Sequence, residues 1–76
     1  MYKVTFDLNR GEINIIQISQ KQGEDWVLLK DKELLDKIEE KFIRTRGAFY
    51  SGKGYGQVVY TENLTYISGN FEPVKD

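Results

Sequence analysis

One segment of this 76-residue chain has a clear helical period, and it lies near the middle of the sequence. Within residues 32–46, four apolar side chains fall at offsets of 0, 1, 4 and 8 and so share one face of an α-helix. They are Leu34, Leu35, Ile38 and Phe42. Asp31 is a favourable N-cap and Gly47 is placed for a left-handed C-cap, so we expect a single helix between them. The pairs Glu33–Lys37 and Glu40–Arg44 have the spacing and order that stabilise a helix.

Before this helix the pattern predicts a β-hairpin. Apolar residues alternate with polar ones from Tyr2 to Leu8, which is the period of a half-buried strand. Residues 9–11 (NRG) predict a turn in which Gly11 takes a positive φ. Residues 12–20 then predict a second strand that is rich in β-branched side chains. Ile15 and Ile16 are adjacent, so they either point to opposite faces or have a β-bulge between them.

Residues 26–30 (WVLLK) fit either a third strand or the first turn of the helix. We favour the strand, because Asp31 is then free to cap the helix. Trp26 is the only tryptophan in a small chain, and we expect it to pack in the core rather than to serve as an interface anchor.

A second hairpin is predicted after the helix. Residues 57–61 and 64–68 are β-rich runs on either side of Glu62 and Asn63. Gly69 and Asn70 predict a further turn, and residues 71–74 predict a short edge piece that Pro73 limits.

The predicted fold class is α+β: a small two-layer domain spanning residues 1–76, with an antiparallel sheet of about five strands and one helix packed across a face. The element order is β-β-(β)-α-β-β. This order resembles the β-grasp architecture of ubiquitin-like domains and small immunoglobulin-binding domains. The resemblance is one of element order and implies no function.

The composition excludes several kinds of chemistry. The chain has no cysteine and no histidine, so it has no disulfide, no thiolate nucleophile and no imidazole ligand for a metal. Its carboxylates lie on the polar side of the helix or in turns and show no catalytic or calcium-loop spacing. We therefore expect a protein that is not an enzyme and that uses no cofactor or metal.

The sequence also carries a prediction about location. The N-terminal residues alternate in polarity, unlike a secretory signal, and no run approaches the length that spans a bilayer. We expect a cytoplasmic protein with no membrane association. The abundance of Lys, Ile, Asn and Tyr favours a bacterial or phage origin.

Residues 46–57 (RGAFYSGKGYGQ) hold the most unusual motif of the chain. Gly47, Gly52 and Lys53 match the phosphate-binding pattern G-x-x-x-x-G-K-[ST], but Gly54 stands where a hydroxyl must hold magnesium. The motif should also follow a strand and open a helix, whereas here the predicted helix comes first. This near-match therefore does not predict a nucleotide site.

The same stretch lies in a window without acidic residues between Glu40 and Glu62. The basic residues of the window are Lys41, Arg44, Arg46 and Lys53. Aromatic side chains among cations are typical of surfaces that stack nucleic-acid bases. Alternatively, Phe49 and Tyr50 anchor the segment to the core.

We expect residues 46–57 to form a glycine-rich loop that binds a partner together with the adjoining strand. Tyrosines between glycines suit adaptable protein-binding surfaces, and Tyr55 lacks bulky sequence neighbours that would bury it. The expected function is a small protein-binding module of the inhibitor or adaptor type, and the alternative is a binder of single-stranded nucleic acid or RNA. The candidate partner-binding residues are Arg46, Phe49, Tyr50, Lys53, Tyr55 and Gln57.

Overall fold

A computed structural model describes residues 1–46 and 52–74 of the chain, with the side chain of Arg46 outside the description. Its elements follow the predicted order of strands, one helix and strands. They are β1 (Tyr2–Asn9), β2 (Glu12–Gln22), β3 (Asp25–Leu28), α1 (Lys32–Arg46), β4 (Lys53–Tyr60) and β5 (Tyr66–Pro73).

All five strands form one antiparallel sheet in the order β3-β2-β1-β4-β5. The helix covers one face, where Ile38 and Phe42 are fully buried against the apolar side chains of β1. The rings of Phe6 and Phe42 lie 4.7 Å apart between their centroids. The predicted two-layer α+β fold is therefore confirmed, and the sheet is antiparallel throughout.

The first hairpin forms as its sequence predicts. Arg10 and Gly11 connect β1 to β2, and both have positive φ angles, of 52° and 88°. A two-residue connection of this kind matches the right-handed twist of the two strands. Along β1, buried residues alternate with half-buried ones from Tyr2 to Leu8, so the first strand has one side toward the helix and one side away from it.

Strand β2 contains a β-bulge at the pair of isoleucines. Thr5 is opposite Gln17 and Phe6 is opposite Ile15, which leaves Ile16 as the extra residue. The bulge keeps Ile13 and Ile15 packed against the core that also holds Ile18, whereas Ile16 is 57% exposed. Of the two arrangements that the sequence allows, the bulge is the one that forms.

The segment after β2 adopts the favoured strand conformation. β3 pairs with the end of β2, and Asp31 then caps α1. The Asp31 carboxylate accepts hydrogen bonds from the backbone N–H groups of Glu33 and Leu34, at 3.1 and 3.4 Å. Glu40 and Arg44 form an ion pair. Glu33 and Lys37 are not among the ion pairs of the described residues, and the predicted C-cap Gly47 lies outside them.

Two predictions about the second half of the chain are wrong. The expected loop does not span residues 46–57: Arg46 belongs to α1 and residues 53–57 belong to β4, and of the described residues of this stretch Gly52 lies outside both. Gly69 and Asn70 do not turn the chain either, because their pairing with Val58 and Gln57 continues the ladder of β5. The predicted hairpin across Glu62 and Asn63 does form, and Pro73 ends the edge strand β5.

A contact between the first residue and the second hairpin perturbs one carboxyl group. The Met1 ammonium donates a hydrogen bond to Oε1 of Glu62 at 3.0 Å. This bond lowers the pKa of the Glu62 carboxyl below its ordinary value.

Among the described residues, no helix has the length and apolar character needed to cross a membrane.

Candidate functional site

The sheet has a face that points away from α1, and we call it the open face. Because strand residues alternate between faces, the register between strands assigns its members. On β1 they are Lys3, Thr5, Asp7 and Asn9; on β4 they are Lys53, Tyr55, Gln57 and Val59; and on β5 they are Ser68, Asn70 and Glu72. All of these side chains are exposed or half-buried, and most are polar.

Two glycines of the motif are required by packing on the helix side of β4. A methyl group placed on Gly56 would lie 2.5 Å from Cζ of Phe6 and 2.8 Å from the backbone oxygen of Asn70. One placed on Gly54 would lie 2.3 Å from the backbone oxygen of Glu72. The stacked rings of Phe6 and Phe71, with centroids 6.3 Å apart, occupy the space that side chains would need.

Tyr55 lies between these glycines and projects onto the open face, where it is 59% exposed. Lys53 and Gln57, two residues to either side, share that face and are also exposed. The structure thus brings together three of the six predicted partner-binding residues. Phe49, Tyr50 and the side chain of Arg46 lie outside the described residues, so the prediction for them stays a prediction.

Carboxylates flank Tyr55 on both neighbouring strands. In the antiparallel ladders Asp7 is opposite Tyr55 on β1 and Glu72 is opposite it on β5. Side chains in such positions have Cβ atoms about 5 Å apart. The exposed ring therefore has a carboxylate on each of two sides. Neither carboxylate is close to Tyr55 in the sequence, so the residues around Tyr55 do not predict them.

A shallow hollow of about 260 Å³ lies beside the Tyr55 ring on the open face. Its polar lining includes the Thr5 hydroxyl, the amides of Gln57 and Asn70 and the Glu72 carboxylate. Such a hollow offers hydrogen-bond donors and acceptors rather than the mostly apolar enclosure that is typical of small-molecule sites.

Trp26 lies at the far corner of the open face and not in the core. It is 37% exposed on the edge strand β3, opposite Lys21. The Lys3 ammonium lies 4.5 Å from the centroid of its ring, within the range of a cation–π interaction. The expectation that Trp26 packs in the core is wrong, because β3 ends the sheet and turns this residue away from α1.

The three basic side chains of the acid-free window that the structure describes do not form one patch. Lys41 and Arg44 are exposed on α1, where Arg44 is paired with Glu40. Lys53 lies on the opposite side of the sheet, on the open face. A cluster of cations in the sequence is therefore divided between two surfaces of the folded chain.

Comparisons with protein-family models, curated proteins and solved structures find no match to this chain. Within residues 1–46 and 52–74, no three acidic side chains lie close enough together to hold a metal ion. The functional proposal therefore depends on the chemistry of the surfaces themselves, and above all on the exposed ring of Tyr55.

Proposed function

We infer that this chain is a non-enzymatic protein-binding module whose interface is the β4 part of the open face. The main support for this inference is that Tyr55 is exposed on a regular strand. Close packing at Gly54 and Gly56 holds the backbone of that strand in place. Tyrosine is favoured as an interface anchor because it combines a large apolar area with a polar tip. A ring fixed on a strand also loses little freedom on binding.

The residues around Tyr55 support a protein partner over a nucleic acid. A base stacked on this ring would bring its phosphates near Asp7 and Glu72, which repel them. A protein surface can instead supply amide, hydroxyl or basic groups to these carboxylates and to the amide of Gln57. The neighbouring anions thus make the Tyr55 surface more suitable for protein recognition.

The proposed interface extends along the chain to Arg46, Phe49 and Tyr50, which precede β4 in the sequence. With Tyr55 they give three aromatic residues and one arginine, which are residue types enriched in protein interfaces, and Lys53 and Gln57 add polar groups beside them. A small cytoplasmic protein of this kind serves as an inhibitor or as an adaptor.

Replacing Tyr55 tests this function. Proteins captured by the immobilised chain are identified by mass spectrometry, and the affinity of the identified partner is then measured. We expect Tyr55→Ala to weaken binding by about 30-fold, as the loss of a central aromatic anchor does. The fold should be retained, because the ring is exposed and makes little contribution to the core.

A second exposed tyrosine provides the matched control. Tyr66 on β5 is opposite the buried Tyr60 and so lies on the helix side of the sheet. We expect Tyr66→Ala to bind the partner as the unaltered chain does. Equal affinity of Tyr55→Ala and the unaltered chain would show that the open face is not the interface.

A further inference from the structure

One edge of the sheet is open along half of a strand. β3 pairs only with residues 19–22 of β2, and a hydrogen bond of 3.0 Å from Leu29 N–H to the Ile18 carbonyl ends that ladder. Residues 12–17 of β2 pair with β1 on one side. On their other side no strand pairs with them among the described residues. We call this segment the β2 edge.

A groove runs between the β2 edge and α1, with a volume of about 510 Å³. Its lining combines apolar side chains with Asn14 and Gln17 of β2 and with charged side chains of the helix. The apolar lining includes Ile13, Ile15, Ile16, Leu29 and Leu35. The charged wall consists of Lys32 at the start of α1 and of Asp36 and Glu39 further along it.

The two edges of the sheet differ in how they are protected. Proteins protect an edge with charges, proline or bulges, because exposed backbone groups accept strands from other chains. β5 carries Glu72, Pro73 and a register irregularity. Residues 13–18 of β2 (INIIQI) contain no charge and no proline, and Ile16 is 57% exposed. Apart from Glu12 at its start and the bulge at Ile16, the β2 edge has none of these protections, and its backbone groups are open to another strand.

We propose that the groove binds an extended segment of a partner protein in which the residues facing the groove, at every second position, include both apolar and basic side chains. The segment adds a strand beside the β2 edge and places its apolar side chains in the groove, since backbone pairing supplies affinity and alternate side chains supply specificity. Its basic residues pair with Asp36 and Glu39, neither of which has an ion-pair partner among the described residues.

Charge complementarity favours this occupant over a second copy of the chain. The groove wall has two carboxylates and one ammonium group. A second copy would bring an identical wall with the same excess of negative charge, whereas a basic segment neutralises it. This surface is separate from the interface proposed at Tyr55, which faces the other side of the sheet, so the two proposals stand or fall independently.

Synthetic peptides test the proposal on the full chain. The probes are a short peptide in which valine and lysine take turns at every second position with threonine between them, the same peptide with glutamate for lysine, and the lysine peptide with alternate backbone amides methylated. We expect the lysine peptide to shift the backbone amide NMR signals of the β2 edge on titration. The glutamate peptide should bind about tenfold more weakly, and the methylated peptide, which lacks the donors for strand pairing, should not bind.

Charge reversal in the helix gives an independent measurement. The variant Asp36→Lys/Glu39→Lys should prefer the glutamate peptide over the lysine peptide. A matched control, Glu33→Lys/Glu62→Lys, makes the same change in net charge at exposed positions outside the groove and should keep the original preference. Tyr55→Ala should bind the lysine peptide with unchanged affinity, because it lies on the open face.

Three results would overturn the proposal. The first is the absence of shifts at millimolar peptide, and the second is a set of shifts confined to β4 and β5. The third is a dimer in analytical ultracentrifugation, together with protection of the β2 edge amides from hydrogen exchange. That combination would show that a second copy of the chain occupies the groove.

Discussion

Gly54 and Gly56 lie on either side of Tyr55, and aromatic rings occupy the space that a side chain at either position would need. We expect Gly56→Ala to lower the free energy of unfolding by about 2 kcal/mol, because the new methyl group overlaps Phe6 and the backbone of Asn70. Denaturant unfolding followed by circular dichroism measures this change.

Gly23 is the control for this substitution. It lies in the turn between β2 and β3 with a φ of 64°, and nothing lies within 4 Å of the position of its missing Cβ. Gly23→Ala should therefore lose only about 1 kcal/mol, from backbone strain without overlap. If Gly56→Ala were no more destabilising than Gly23→Ala, the rings of Phe6 and Phe71 would not be what requires glycine on β4.

The helix depends on a single capping side chain at its start. Asp31 accepts hydrogen bonds from two backbone N–H groups of the first turn. We expect Asp31→Ala to lower the free energy of unfolding by about 1 kcal/mol, measured by thermal and denaturant unfolding. Asp31→Asn should retain most of the stability, since its side-chain oxygen can accept the same bonds.

Asp36 provides a comparison within the same helix. It is exposed in the second turn and caps nothing, so Asp36→Ala should leave the stability unchanged or slightly raise it, because alanine favours a helix. Equal losses from the alanine variants at both positions would mean that removal of charge, and not loss of the cap, lowers the stability.

The elements that the sequence predicts well are those whose signals are local. The bounds of α1 follow from the cap at Asp31 and the spacing of its apolar face, and both hairpins follow from alternation and turn residues. Strand β4 is different. Glycine is unfavourable in strands, so the local preference of residues 53–57 predicts a loop. The need for glycine there comes from other strands, through the rings of Phe6 and Phe71 and the backbone oxygens of Asn70 and Glu72.

For the candidate surfaces, too, some features follow from residues close in the sequence, and others follow only from the pairing of distant strands. Lys53, Tyr55 and Gln57 share one face because residues 53–57 form a strand, and a strand alternates its side chains between faces. The carboxylates of Asp7 and Glu72 become their neighbours only through strand order and register. The β2 edge depends on how far β3 extends along β2. That length is fixed by tertiary pairing and has no signature within β2 itself.

The distribution of charged side chains over the folded chain indicates which class of partner it can bind. The formal net charge is −1, and Lys41 and Arg44 of the acid-free window lie on α1 whereas Lys53 lies on the open face. Binding to single-stranded nucleic acid requires several phosphate contacts along one positive groove. Lys53 shares its face with Asp7 and Glu72, and Arg44 is paired with Glu40, so these two cations do not contribute to such a groove.

We therefore expect labelled single-stranded DNA and RNA not to bind the chain at low salt, where electrostatic attraction is strongest. Fluorescence anisotropy at two salt concentrations measures this. Binding that falls steeply with salt and disappears in the Arg46→Ala/Lys53→Ala variant would instead establish the nucleic-acid alternative, because both side chains belong to the basic stretch that precedes Tyr55. In that case the repulsion from Asp7 and Glu72 would have to be outweighed by cations outside the described residues.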